Sequence, residues 1–188
     1  MADATEQKPD GTPKKAKQGR SPGYPSINIQ EAIAKAKALY AAEGKYPAPM
    51  PSAFTAWGFS MKSSGGRGVR ASLKYFGLIT VDGDNETGKV KLTDDALRII
   101  LDEREDQTEK NAIIRKLALL PSIHQALMAA YPNGLASDAS VEHLLIFEQG
   151  YNKSAAAEVI SEFKATAAYA GFYKPAIGAD KSDPDTGN

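Results

Sequence analysis

Basic side chains at helical spacing form the clearest candidate for chemistry in this chain. Arg67, Arg70 and Lys74 lie in one predicted helix. At about 100° per residue they share one stripe, and the apolar residues of the same segment form a separate stripe. Arginine can pair bidentately with guanine in the major groove of duplex DNA. The stripe therefore predicts a helix that contacts DNA, and the alternative interpretation is an ordinary solvated helix face.

Polar residues on both sides of this helix extend the predicted DNA contact. Lys62, Ser63 and Ser64 come directly before it, and backbone amides at a helix start can hold a phosphate. In the strand-like segment KVKL, Lys89 and Lys91 alternate with apolar residues and so point away from the core. We expect the first three residues to contact phosphates and the two lysines to contact the flanking DNA backbone.

The amino-terminal segment carries a further basic cluster. It contains almost nothing apolar, so we predict a disordered arm over residues 1–26. The arm either lies along a phosphate backbone or in a minor groove, or it serves only as a solubilising tail. Its positive charge is concentrated in Lys14, Lys15, Lys17 and Arg20.

Two features of the chain oppose DNA binding. The turn between the two strand-like segments is acidic and would repel phosphate, because it contains Asp82, Asp84 and Glu86. Residues 27–100 contain ten basic and seven acidic side chains, a net charge of only +3. So few cations give a modest, salt-sensitive affinity, and a dimer or the arm would have to strengthen it.

Little in the sequence points to catalysis. No cysteine is present, which excludes disulfides, thiolate metal sites and cysteine nucleophiles. His124 and His143 fall on separate predicted helices, and neither has a second histidine three or four residues away to form a metal site. We therefore expect both histidines at the surface or its boundary. We predict a protein that is not an enzyme and has no catalytic residue, metal or cofactor.

The overall composition is that of an ordinary globular protein. The 188 residues suit one domain or two small ones. Lys and Arg together number 23, as do Asp and Glu, so no whole-molecule charge attracts DNA or an anionic membrane. No apolar run approaches the roughly 20 residues of a membrane span, and the amino terminus lacks the apolar segment of a signal peptide. We expect a cytoplasmic protein without a membrane partner, associated with the nucleoid if it binds DNA.

Residues 27–106 show the elements that position the basic stripe, in the order helix, helix, helix, hairpin, helix. The third helix is predicted from about residue 63 to 76, and the hairpin joins LITV to KVKL through a turn rich in Asp, Asn and Gly. Thr93 then caps the fourth helix. This order is that of winged helix-turn-helix proteins, and YFGLIT with GKVKLTDDALRIIL resembles their wing region. The resemblance implies a mainly α fold with a small β-hairpin wing.

The second half repeats the short motifs that flank the helices of the first half, and it has no wing. GYNKS is similar to the earlier GFSMKS, and AYP follows the first helix of this half as KYP follows the first helix of the other. We therefore predict tandem units, with a second helix-turn-helix-like helical domain over residues 107–177 and a disordered tail over residues 178–188. The matching helix has no basic stripe, and we expect the following residues of it to pack against the first unit or a second copy: Glu158, Glu162, Ala165 and Tyr169.

The layout as a whole resembles a bacterial and archaeal family that is catalogued only as a domain of unknown function, with tandem winged-helix-like units. Its members open with a YPS segment, contain an LGLI-type wing and end with an AGL-type segment. The corresponding residues here are Tyr24-Pro25-Ser26, Gly77-Leu78-Ile79 and Ala170-Gly171-Phe172. The resemblance brings no established activity.

Two functions from different classes follow. The first is a regulatory protein that reads duplex DNA with the third helix and wing of its first domain and self-associates as a homodimer through its second. The alternative is a winged-helix module that binds a protein partner and no nucleic acid, because one fold can serve both roles. Helices of the second half lying over the basic stripe would block DNA and favour the alternative.

Overall fold

A computed structural model describes residues 21–84 and 87–173. This part of the chain is mainly helical, with eight helices and a three-stranded antiparallel sheet, which confirms the predicted fold class at that level. In chain order the elements are α1 (Ile29–Glu43), β1 (Ala48–Pro49), α2 (Met50–Ala56), α3 (Ser64–Tyr75), β2 (Ile79–Asp82), β3 (Lys89–Leu92), α4 (Asp94–Leu101), α5 (Thr108–Ala118), α6 (Ser122–Ala130), α7 (Asp138–Phe147) and α8 (Lys153–Ala170).

The two predicted terminal segments fall largely outside the described residues. This applies to residues 1–20 of the predicted arm and to residues 174–188, which include the predicted tail. Residues 21–28, which we call the N-terminal strap, are described. They lead into α1 without forming a helix or a strand.

α1 begins at a reciprocal cap and packs one face into the core. The Oδ1 of Asn28 accepts a hydrogen bond from Glu31 N (3.0 Å), and its Nδ2 donates to the Glu31 carboxylate (2.9 Å). The first of these bonds satisfies one of the backbone amides that a helix start otherwise leaves free. Gly44, with φ at +65°, ends the helix in a backbone conformation that favours glycine. The buried face repeats at helical spacing through Ile29, Ala32, Ile33, Ala36 and Leu39.

The hairpin of β2 and β3 follows the predicted alternation. Val90 and Leu92 are buried, and Lys89 and Lys91 are exposed. Antiparallel pairing places Asp82 of β2 opposite Lys89. The polar face of β3 is therefore turned to solvent, as a strand with one buried face requires.

The connector between α1 and α2 adds a third strand to this sheet. Ala48 of β1 lies opposite Val90 of β3, and Met50 N donates a hydrogen bond to Gly88 O (3.0 Å). The strand order is β1-β3-β2, so β1 forms an edge. The sequence predicts only an extended connector here, because a strand of two residues has no alternation to detect.

One continuous cluster of buried apolar side chains underlies both halves of the described chain. α8 packs against α1, α5 and α7 and buries nine of its residues. At its contact with the start of α1, Ile29 N donates a buried hydrogen bond to Thr166 Oγ1 (3.0 Å). The first and second halves therefore share a core and a buried polar contact.

Candidate nucleic-acid interface

α3 presents two of its basic residues on the side opposite the core. Val69 and Leu73 are buried, whereas Arg67 and Lys74 are exposed. Arg70 lies at the edge of the same stripe and is half-buried. The third helix thus has the amphipathic division that the sequence predicts, with the fully exposed part of the stripe formed by Arg67 and Lys74.

The residues before α3 divide between capping the helix and facing solvent. Ser63 caps α3, since its Oγ accepts a hydrogen bond from Gly66 N (3.3 Å). Ser64 and Lys62 are exposed. Arg67 Nη1 donates to the backbone oxygen of Lys62 (2.9 Å), which brings these two cationic residues together at the start of the helix. We call Lys62, Arg67 and Lys74 the basic face of α3.

The two wing lysines differ in their electrostatic surroundings. Lys89 lies opposite Asp82 in the hairpin register, whereas Lys91 lies opposite Thr80. Opposite charges facing each other across strands attract, so Asp82 competes with a phosphate for Lys89. Lys91 has no acidic residue opposite it and is the better placed of the two to contact a DNA backbone.

One acidic side chain of the hairpin turn is hydrogen-bonded within the turn. The Asp84 carboxylate accepts hydrogen bonds from Thr87 N (2.6 Å) and from Thr87 Oγ1 (2.9 Å). Asp82 and Asp84 are both exposed, and Glu86 lies outside the described residues. The acidic tip that opposes DNA binding is therefore a real feature of the surface at Asp82 and Asp84.

The N-terminal strap lies along one flank of α3. Ser26 N donates a hydrogen bond to Ser72 Oγ (2.8 Å), and the Tyr75 hydroxyl packs against Gly23. On a helical wheel Ser72 and Tyr75 lie about 80–140° from Arg67. The strap thus covers a flank of the helix and leaves the basic face exposed.

The other side of the strap contacts the beginning of α8. The Tyr24 hydroxyl donates to the Glu158 carboxylate (2.7 Å), and its ring meets Tyr151 edge-on with 5.8 Å between centroids. Asn152 N donates to Ser21 Oγ (3.1 Å). Partial burial and then the Glu158 carboxylate raise the pKa of Tyr24 to about 12, because both disfavour the phenolate.

The face of α8 that the sequence predicts to pack lies partly at the surface and partly in the core. Glu158 is exposed and bonded to the strap, Ala165 and Tyr169 are exposed, and Glu162 is buried. Glu162 Oε1 accepts a hydrogen bond from Thr166 Oγ1 (2.6 Å), whose oxygen in turn receives Ile29 N. Part of the predicted face therefore packs against α1 and the strap.

His124 is fully buried, which corrects the expectation of a surface or boundary position. Its Nδ1 lies 2.7 Å from Ala118 O and its Nε2 lies 2.7 Å from Glu162 Oε2. A carbonyl only accepts, so Nδ1 carries a proton and donates it. Nε2 is hydrogen-bonded to Glu162, so both ring nitrogens have a partner inside the core.

A signal for the burial of His124 exists in the sequence. It lies beside Ile123 and three residues before Leu127, both of which are buried on α6. Apolar periodicity therefore places the histidine on the core side of its helix. Its partner Glu162 is 38 residues away and has no such local signal. His143 is exposed, as expected, with its ring 4.5 Å from that of Phe147.

An open groove lies between α4 and α5. Its volume is about 600 Å³, and Leu97, Leu101 and Ile113 supply its apolar lining. Charged residues form its rim, where Arg104 bonds both Asp102 and Glu109 (2.7 and 2.8 Å). Hydrogen bonding to Arg104 lowers the pKa of Asp102 to about 2.

Among residues 21–84 and 87–173 no cluster of three or more acidic or histidine side chains is arranged to hold a metal ion. No helix in this part of the chain is long and apolar enough to cross a membrane. Comparison with protein-family models, curated proteins and solved structures finds no match to the chain.

Proposed function

We propose that this chain is a DNA-binding regulatory protein whose first half is a winged helix-turn-helix unit. The order α1, α2, α3, hairpin, α4 is the order of that fold, and the exposed side of α3 is basic. The single observation that carries the proposal is the basic face. Lys62, Arg67 and Lys74 stay exposed, whereas the opposite side of α3 packs against α1 and the sheet and one flank lies under the strap.

α3 has the dimensions of a helix that enters the major groove. An α-helix with its side chains is about 10–12 Å across, and the groove is about 12 Å wide. The 12 residues of α3 extend about 18 Å along it. Recognition helices contact base edges with residues near their amino ends, so Arg67 is assigned to bases. Lys62, Ser64 and Lys74 are assigned to phosphates, and Lys91 to the backbone beside the wing.

A salt titration with labelled duplex DNA tests the proposal. The double replacement Arg67→Glu/Lys74→Glu should weaken binding at least about tenfold. It should reduce the magnitude of the salt slope by about 1, because Lys74 is assigned to a phosphate and Arg67 to bases, and each phosphate contact contributes about −0.9 to the slope. A matched control is Lys37→Glu/Arg115→Glu, which makes the same change in charge at an exposed lysine of α1 and an exposed arginine of α5. Fluorescence anisotropy measures both quantities, and circular dichroism checks that each variant is folded.

The result separates the two candidate functions. Equal losses in the test and control variants would reduce the interaction to bulk charge and contradict a role for α3. A folded wild type that fails to bind at low salt would favour a protein-binding module. That alternative is supported by the α4–α5 groove, where Leu101 is 55% exposed at an apolar surface.

A further inference from the structure

We propose that the groove between α4 and α5 is a docking site for a short amphipathic helix of a protein partner, and that this helix carries lysine or arginine beside its apolar residues. The groove has an apolar floor and an acidic rim, which together define the chemistry of the partner. The inference goes beyond the proposed DNA binding, because the groove and the basic face of α3 have no residue in common.

Three apolar side chains form the floor of the groove. Leu97 and Leu101 are four residues apart and therefore lie on one side of α4, and Ile113 lines the groove from α5. Leu101 is exposed and the other two are half-buried, whereas Ile99 and Ile114 on the same helices are buried in the core. The floor thus keeps apolar surface in contact with water, and a partner that covered it would gain the free energy of its burial.

Ion pairs hold the wall of the groove in shape. Arg104 donates to the Asp102 carboxylate through Nε and Nη2 (2.8 and 2.7 Å), and its Nη2 also donates to the Glu109 carboxylate (2.8 Å). Arg98 of α4 lies 3.5 Å from the same glutamate. These contacts connect the loop after α4 to the first turn of α5. The groove is therefore formed before a partner arrives, so binding does not have to order it.

The rim of the groove keeps an acidic excess beyond these ion pairs. Residues 98–113 contain five acidic and three basic side chains, a net charge of −2. Glu103 lines the groove and Glu105 follows it in the same loop, and both are exposed. Within the described part of the chain neither of them forms an ion pair. These two carboxylates attract a basic partner and repel the phosphates of a nucleic acid.

The length and the secondary structure of the groove fit a helical partner. α4 has eight residues and is about 12 Å long, so it can lie against about two turns of a second helix. Apolar residues at i and i+4 of that helix share one face and can contact the three floor residues together. The walls of the groove are helices, so an extended partner would find no strand edge with which to pair.

Designed peptides test the docking site on the full chain. Each probe is a fluorescein-labelled peptide of about 12 residues, which a lactam bridge on its outer face holds helical because a free helix this short is marginal in water. The lysine peptides carry leucine, phenylalanine or methionine at i and i+4 with lysines beside them, and each has a counterpart with glutamate in place of every lysine. Fluorescence anisotropy measures the affinities. The best lysine peptide should bind at least about tenfold more tightly than its glutamate counterpart.

Replacements in the floor locate the bound peptide. Leu101→Lys removes apolar contact and adds a positive charge, so it should weaken binding of the lysine peptide at least about tenfold. Leu120→Lys is the matched control, because it makes the same change at another exposed leucine that does not line the groove. This control should bind the peptide as the wild type does. Circular dichroism verifies that both variants are folded.

Replacements in the rim test the preference for a basic partner. Glu103→Lys/Glu105→Lys should bind the glutamate peptide more tightly than the lysine peptide, which reverses the preference of the wild type. Glu43→Lys/Glu148→Lys makes the same change in charge at the ends of α1 and α7, outside the groove, and should keep the wild-type preference.

The contrary results are equally definite. If no lysine peptide binds the folded wild type, or if the lysine and glutamate peptides bind equally, the groove is not a docking site for a basic helix. Equal affinities of Leu101→Lys and Leu120→Lys, or a rim variant that keeps the wild-type preference, would also overturn the inference. None of these assays contains DNA, so the docking site and the proposed function can fail separately.

Discussion

His124 and Glu162 are hydrogen-bonded to each other inside the core, and Thr166 donates to the second oxygen of the carboxylate. Nε2 and Oε2 are 2.7 Å apart, and the Thr166 hydroxyl donates to the second carboxylate oxygen over 2.6 Å. A polar group that is buried without a partner costs about 1–3 kcal/mol. The cluster is therefore stable because each of its polar atoms has a partner. Any replacement that leaves a ring nitrogen of His124 unpaired should lower the free energy of unfolding.

Glu162→Gln should be tolerated and Glu162→Leu should not. The amide of a glutamine can donate to His124 Nε2 while its oxygen accepts the Thr166 hydroxyl, so the free energy of unfolding should change by less than about 1 kcal/mol. Leucine leaves both partners unpaired and should cost about 2–4 kcal/mol. Urea unfolding measures both values. Equal stability of the two variants would mean that the hydrogen bonds contribute little.

Residue-scale prediction succeeds where the deciding contacts are local. The exposure of Arg67 and Lys74 follows from the helical spacing of one segment, and that of Lys89 and Lys91 from strand alternation. The burial of Glu162 depends on a histidine of another helix, which no spacing within α8 reveals. The helical spacing predicts that Glu158, Glu162, Ala165 and Tyr169 pack as one face, whereas only Glu162 of these four is buried.

α3 is held in place by the closeness of its first turns to α2. A Cβ on Gly66 would lie 2.7 Å from the Phe54 ring and 2.9 Å from Phe59 Cβ. Phe54 is buried against Trp57, with 5.5 Å between their ring centroids, so it has little room to move. The glycine therefore sets the distance between the two helices.

Gly66→Ala and Gly68→Ala should have different effects although both place alanine in α3. At Gly66 the clash with Phe54 should cost about 1–3 kcal/mol and exceed the gain in helix propensity of about 1 kcal/mol. At Gly68 the methyl group meets only the Ser26 hydroxyl, which can rotate away, so stability should change by less than about 1 kcal/mol. Thermal unfolding of the two variants compares them. A greater loss at Gly68 would contradict the packing described for Phe54.

Long helices and strands are easier to predict from the sequence than short ones. Long helices and the hairpin repeat a pattern often enough to be recognised, and Thr93 marks the start of α4 by accepting a hydrogen bond from Ala96 N (3.2 Å). β1 has two residues and becomes a strand only because β3 lies beside it. The strap has no periodic spacing of apolar residues, because its conformation depends on contacts with α3 and α8.

At the scale of the whole molecule, the two halves should unfold together. The buried cluster is continuous, and α8 packs against α1 with a buried hydrogen bond between Thr166 and Ile29. The repeated motifs between the helices predict two units along the chain. A core that both units share couples their unfolding energetically. We expect a single cooperative transition with equal calorimetric and van't Hoff enthalpies.

Variants in each half provide the measurement. Gly66→Ala lies in the first half and Glu162→Leu in the second, and each should lower the same melting temperature by about 2–4 °C per kcal/mol lost. Differential scanning calorimetry records the transitions. Two transitions, each shifted by only one of the variants, would show that the halves are energetically independent.

The prolines of the connector have a consequence for how molecules meet one another. Met50 N donates inward to Gly88 O, so the alternating backbone turns the nitrogens of Pro47 and Pro49 outward, at the free edge of β1. Neither nitrogen carries a hydrogen. A strand of a second molecule that approached this edge would find no amide to bind at these two positions, and edge-to-edge stacking is a common route to fibrils. The sheet is thereby protected from growth along β1 when the protein is concentrated.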